Sequence, residues 1–321
     1  MQDRGRLLLF SSAPKSDESL LGYLLRLTGL NRLDTLSWML QKAQIKSFVQ
    51  TNVSFVFDPS INLLSLAELT GVDLVELSAL FYKPIDPQKA MGDYFMFGCT
   101  VPQYMIRVRQ PKVCPACLQE AEYAHRLWEL SPVTACPFHR CMLLDECPSC
   151  AKRISWSRSK VSCCQCGCDW RNYEARRVEE SELGVSTQIY LQCKLLTSRG
   201  TPRQQTYNSP IYNVDLKSFL SALFFIASQY VGVVDTKGKH LAPSIRNAEL
   251  HLLLCKALAV FDKWPNKYFA FLDWRKAQAR ETQSAGGLRN DFSGYKSALY
   301  TQLASSQLDF MRSAFERYLS A

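Results

Sequence analysis

The chain reads as mainly α, with a helical domain at each end of a cysteine-rich middle. Three observations predict this. Leucines recur at helical spacing from Leu20 to Leu27, and apolar residues do so again through Leu216–Tyr230. Four pairs of soft ligands fall together between residues 114 and 166. Around those pairs helix signals are few and turn residues many. The predicted domains are 1–109, 110–178 and 179–321.

In the first domain Asp17 is the expected N-cap of a helix through Leu20, Leu21, Leu24, Leu25 and Leu27. A second helix is expected from Asp34 to Ile45. Leu63–Tyr82 then fits a helix-turn-helix: the small Ala67 permits close approach, Gly71 makes the turn, and Leu77 packs between the helices. Its would-be recognition helix, Asp73–Phe81, carries Asp73 and Glu76 and no Lys or Arg. DNA phosphates would be repelled there, so packing or protein binding is the expected use.

The middle domain holds Cys114-Pro-Ala-Cys117, Cys136-Pro-Phe-His139, Cys147-Pro-Ser-Cys150 and Cys163-Cys-Gln-Cys166. A tight turn aims two ligands three positions apart at one ion, and two such pairs complete a tetrahedral zinc site. Two structural Zn2+ sites are therefore expected, in a double zinc-binding module of zinc-ribbon or finger type. Cys114, Cys117, Cys136 and His139 form one. Cys147, Cys150, Cys163 and Cys166 form the other. Cys164 and Cys168 are alternatives in the last half-site; Cys163 and Cys166 are preferred for their two-residue gap followed by Gly167. Cys99, Cys141, Cys193 and Cys255 read as small buried hydrophobes, and His125 as a hydrogen-bonded structural residue.

Residues 151–177 carry Lys152, Arg153, Arg158, Lys160, Arg171, Arg176 and Arg177, interleaved with Trp156, Trp170 and Tyr173. Two uses compete for this segment. It is either a nucleic-acid or partner contact with base-stacking rings, or a solvated face whose aromatics cover a small metal core. In the third domain, helices are expected over Leu216–Tyr230, Ala248–Phe261, Lys267–Gln278, Tyr295–Leu303 and Leu308–Leu319, with a mobile loop from Thr282 to Ser293.

Composition sets limits on function. The formal charge is +9, moderately basic; metal-bound thiolates would lower it but leave it positive. The apolar core Leu7–Phe10 is too short for a signal peptide, and Phe219–Val234 is too interrupted to span a membrane. A bacterial cytoplasmic location is expected, where thirteen cysteines argue for metal rather than disulfides. There is no Walker loop, dinucleotide turn or His-Glu-x-x-His, and His240 and His251 have no evident catalytic partner, so no enzyme is predicted.

The order of these motifs resembles the TniQ/TnsD family of transposon target-selection proteins. The resemblance begins at Asp17-Glu18-Ser19-Leu20 leading into Tyr23–Leu27. It is strongest from Val113 to Trp170, through the four ligand pairs, Leu127-Trp128, Val133 and Leu143-Leu144. It continues at Trp264-Pro265, Phe269, Phe271-Leu272 and Tyr295–Leu319. It implies a non-catalytic adaptor linking a target-bound complex to an AAA+ ATPase of the TnsC kind, with target DNA as a further partner. Short members of this kind attach to a CRISPR effector with its guide RNA. The chain's length and acidic recognition helix favour that form over a direct, TnsD-like DNA reader. A metal-dependent nuclease is the alternative of another class. Apolar helical faces also allow a homodimer.

Overall fold

A computed structural model describes residues 8–45, 54–58, 61–88, 92–193, 202, 208–231, 245–283 and 292–321. The opening helix, α1 (Leu20–Leu30), buries nearly every side chain along its first two turns. Its cap is Ser19, whose Oγ accepts from the Gly22 N–H at 3.0 Å. Asp17, the expected cap, turns inward instead: its carboxylate lies 2.6 Å from His125 Nδ1 and accepts from the Tyr123 hydroxyl at 2.9 Å. Burial opposes the Asp17 charge, but His125 outweighs it and holds the carboxyl below its ordinary range. Ser19 N–H donates to Ala124 O, and Arg126 N–H to Asp17 O, so α1 docks by its backbone on the cysteine-rich middle. Gly22 makes that approach possible, because a Cβ there would stand 2.6 Å from the Ala124 Cβ.

Next come α2 (Leu36–Lys42), shorter at both ends than expected, then α3 (Leu64–Thr70) and α4 (Leu74–Ala79). The turn between α3 and α4 forms as the pattern predicts. Gly71 takes φ 69° and returns its N–H to Ala67 O, and Asp73 caps α4 by accepting from the Val75 N–H at 2.7 Å. Leu77 is the buried member of α4, while Leu74, Val75 and Glu76 face solvent.

A three-stranded antiparallel sheet follows, β1 (Lys83–Pro84), β2 (Asp93–Met96) and β3 (Cys99–Pro102), which the sequence reading missed. Phe97 and Gly98 join β2 to β3 with φ 47° and 79°. A two-residue turn positive at both positions matches strand twist, but its usual signature is Asn-Gly or Asp-Gly, not Phe-Gly.

The C-terminal part contains α6 (Gly184–Gln192), α7 (Leu216–Tyr230), α8 (Asn247–Ala259), α9 (Asn266–Gln283), α10 (Ser293–Thr301) and α11 (Asp309–Ser320). Of these only α6 lacked a predicted counterpart. The predicted loop from Thr282 lies mostly outside the described residues. α7 packs on α8 and on β3. The Asn247 side chain donates at 2.8 Å to both Thr134 O and Leu143 O, fastening the start of α8 to the middle of the chain. One buried apolar cluster runs from Leu20 to Phe315 through all three regions. No helix among the described residues is long and apolar enough to cross a membrane.

Candidate metal centres

Cys114 caps the short helix α5 (Pro115–Glu120), with its Sγ accepting from the Cys117 N–H at 3.5 Å. Pro115 suits the first helical position because its missing N–H would have no partner there. One turn of helix thus sets Cys114 and Cys117 side by side. The other two donors come from a hairpin, β4 (Ala135–Cys136) and β5 (Cys141–Met142). Arg140, at φ 49°, returns its N–H to Cys136 O and folds His139 back over the strands.

His139 Nδ1 lies 3.6, 3.3 and 3.4 Å from the sulfurs of Cys114, Cys117 and Cys136; Cys117 and Cys136 are 3.6 Å apart. A tetrahedron with metal–sulfur bonds of about 2.3 Å has edges of roughly 3.5–3.8 Å, so these four atoms are spaced for one ion. His139 Nε2 meets Glu120 Oε1 at 2.8 Å, the carboxylate partner that fixes the tautomer of a metal-ligating imidazole. Upstream, buried Lys112 donates to the carbonyls of Leu130, Ser131 and Val133 and so braces the loop leading to Cys136.

The four donors are close enough to share protons among themselves. Hydrogen bonds from Cys117, then Cys136, hold the Cys114 thiol far below its ordinary range, and burial pushes Cys117 up. Contact with Cys114, then Cys136, raises His139 to about 11.

The second cluster comprises Cys147, Cys150, Cys164 and Cys166. Cys147 repeats the turn of the first hairpin: Ala151, at φ 56°, returns its N–H to Cys147 O. Cys147 stands 3.7 Å from Cys166, and Cys150 stands 3.8 Å from Cys164. At Cys147 burial opposes ionisation, but the backbone N–H groups of Cys150 and Ser149 and the Trp170 side chain outweigh it, bringing the thiol to about 6.

Cys163, preferred from spacing, is not in this cluster; Cys164 takes its place. The reason is local. Cys164 N–H bonds Cys168 O and Gly167, at φ 88°, bonds Cys164 O, so the loop closes across 164–168. Cys163 pairs below that loop with Asp169. Successive residues of extended chain face opposite sides, which turns one of the two adjacent thiols away.

The donor environment also fits a charged metal–thiolate group. Arg158 is 4% exposed, with its guanidinium 5.2 Å from the Trp156 ring and 5.0 Å from the Trp170 ring. Arg158 Nη2 is buried without a hydrogen-bond partner, and the buried Trp170 Nε1 has none beyond its approach to the Cys147 thiol. Both side chains line a cavity of about 350 Å³ with Cys150, Cys164 and Cys166. Thiolates on a metal accept N–H bonds, so these two donors match what a loaded site presents. Burial lowers Arg158 to about 9, against the pull of negative charge at Cys164 and Cys163.

Of the seven basic residues of this segment, Arg158 alone is buried. Arg158, Trp156 and Trp170 are core residues, which rules out their surface use. Arg153 is tied to Asp145 at 2.5 Å and Glu146 at 3.4 Å, and Arg171 to Asp169 at 2.6 Å and Glu122 at 3.3 Å. Arg176 reaches Glu182 at 4.0 Å. Lys152, Lys160, Arg176 and Arg177 are exposed. His251 is buried, with Nδ1 2.9 Å from Thr134 Oγ1, and His240 lies outside the described residues. Sequence reasoning missed Glu120 and the Arg158 sandwich. It also read Cys141 as filler, although its Sγ lies 3.6 Å from that of Cys114.

The comparisons bear on this arrangement directly. Residues 9–143 match the TniQ family model. Residues 9–143 form a TniQ domain. A TniQ domain implies a role in transposition target selection, through partner proteins. The match takes in all four donors of the first cluster and stops just before Cys147, the first donor of the second. No curated protein matches the chain.

Proposed function

We propose that this TniQ-domain protein is a non-catalytic adaptor that links a target-bound complex, an RNA-guided CRISPR effector, to an AAA+ transposition regulator of the TnsC kind. Zinc at each cluster is the structural metal of the reading. Cys114, Cys117, Cys136 and His139 would hold one ion, and Cys147, Cys150, Cys164 and Cys166 the other. Bound by four protein donors, zinc supplies folding free energy and offers no open position for water. Glu120 orients His139, and Arg158 offsets the charge of the four-thiolate site.

One observation carries this reading: the TniQ match takes in one four-donor cluster and a second follows directly after it, both packed on the core of the flanking helices. A scaffold of that kind raises the effective concentration of one partner at the other without any bond chemistry. The exposed α4 carries Glu76 and no basic residue, which disfavours a direct DNA reader.

The test is reconstitution with a TnsC-like ATPase and an RNA-guided effector. The metal-loaded protein is expected to bring the two together in co-sedimentation, and removal of both ions to abolish it. Full bridging after verified removal of both metals would refute the scaffold. Guide-independent, salt-steep nanomolar binding to one DNA site would favour the direct reader instead.

A further inference from the structure

Beside the four donors of the first cluster stands a fifth sulfur, that of Cys141. Cys141 opens β5 directly opposite Cys136 in the β4–β5 ladder. Opposed residues of an antiparallel pair project from the same face, with Cβ atoms about 5 Å apart. Cys136 faces the cluster, and Cys141 therefore does too. Its Sγ stands 3.6 Å from Cys114 Sγ, the edge length of a tetrahedral site, whereas His139 Nδ1 lies within 3.6 Å of all three cysteine sulfurs. The two differ in exposure. Cys141 is buried, whereas the His139 side chain reaches solvent and leans on Glu120, which is half exposed.

We propose that Cys141 is a reserve metal ligand that replaces His139. This rests on the reading that the first cluster holds a metal ion. In the exchange the metal–Nδ1 bond breaks and a metal–Sγ bond to Cys141 forms, while the Cys141 thiol proton passes to the freed imidazole. Charge balances: a fourth thiolate adds one negative charge and the imidazolium carries the compensating positive one. The site thereby alternates between a three-sulfur, one-nitrogen form and a softer four-sulfur form without releasing its ion. The all-thiolate form favours soft cations such as Cd2+ over the mixed form.

The experiment counts metal per chain and records the Co2+ thiolate charge-transfer spectrum of the protein. Wild type is expected to hold two ions; fewer than two would defeat the reading that both clusters bind metal, separately from this inference. Cys141→Ser is expected to keep both ions and an unchanged Co2+ spectrum, because Cys141 is not bound while His139 is. His139→Ala is expected to keep both ions, with first-site charge-transfer absorption growing as three thiolates become four. The His139→Ala, Cys141→Ser double variant is expected to lose the first ion, whether or not the chain then folds. Loss of one ion, or failure to fold, in His139→Ala alone overturns the proposal, as does a spectral change in Cys141→Ser.

Discussion

Replacing Arg158 by Met separates the metal role of this residue from its role in packing. Met keeps most of the apolar stem between Trp156 and Trp170 and removes the charge. On the fold alone the opposing effects nearly cancel. A desolvated cation between two indoles gains about 2 kcal/mol from each ring. Its bonds from Nε to Lys160 O at 3.1 Å and from Nη1 to Ser155 O add about 1.5–3 kcal/mol apiece. Against these stands the several-kcal/mol cost of burying a guanidinium whose Nη2 has no partner. Lys160 is exposed and Ser155 half-buried, so water can serve the carbonyls left behind. The net loss of stability should be only about 1–2 kcal/mol. The effect on the metal has no such cancellation, because four thiolates on one dication leave a double negative charge. Removing an outer partner of metal ligands costs about 10–100-fold in affinity. Chelator competition on the second site should therefore show a drop of that size in Arg158→Met, with Lys160→Met as an exposed control that does not move. A folded Arg158→Met protein holding its second ion within twofold of wild type would falsify the counter-charge assignment.

Two other expectations concern the ligands and the core. Cys163→Ser should retain two metal ions per chain and Cys164→Ser only one, by metal analysis of the purified proteins; the reverse pattern would restore the spacing-based assignment. Glu129 is fully buried, and burial raises its carboxyl to about 7 although Tyr82 donates to it at 2.5 Å and Arg126 lies near. Its folded value exceeds its unfolded one, so the stability it contributes is complete below about pH 4.5 and is lost as pH rises through 7. The loss amounts to about 3 kcal/mol. Glu129→Gln mimics the protonated form, so its stability relative to wild type, from urea midpoints, should rise by up to that amount from pH 5 to pH 8. A flat difference would place Glu129 outside the titrating core.

Elements whose signal is periodic or spaced were legible in the sequence. α7 falls within its predicted bounds because apolar residues recur at helical spacing behind Asp215, whose side chain accepts from the Ser218 N–H. The α3–α4 turn was legible because only Gly easily takes the φ that Gly71 adopts. The first cluster's four donors were readable from two separated pairs. Apart from the short β1–β3 sheet and α6, what failed turned on a shift of one or two residues, or on burial. Asp17 and Ser19 are both good caps, and only the partner at His125, over a hundred residues away, decides between them. Cys163 and Cys164 are chemically identical neighbours, and a backbone bond from Cys164 to Cys168 sets which one faces the metal. Arg158 counts as a charge in any sequence tally, yet two tryptophans from either side of it take it into the core.

The grip of Asn247 on Thr134 and Leu143 bears on how such a protein can change over evolutionary time. The TniQ match ends at residue 143, and one of the two carbonyls that Asn247 holds belongs to that very residue. A fusion or truncation made at the edge of the matched segment would therefore cut through this joint. New target-choosing variants should arise more readily by redecorating exposed faces such as that of α4 than by exchanging the C-terminal helices as a block.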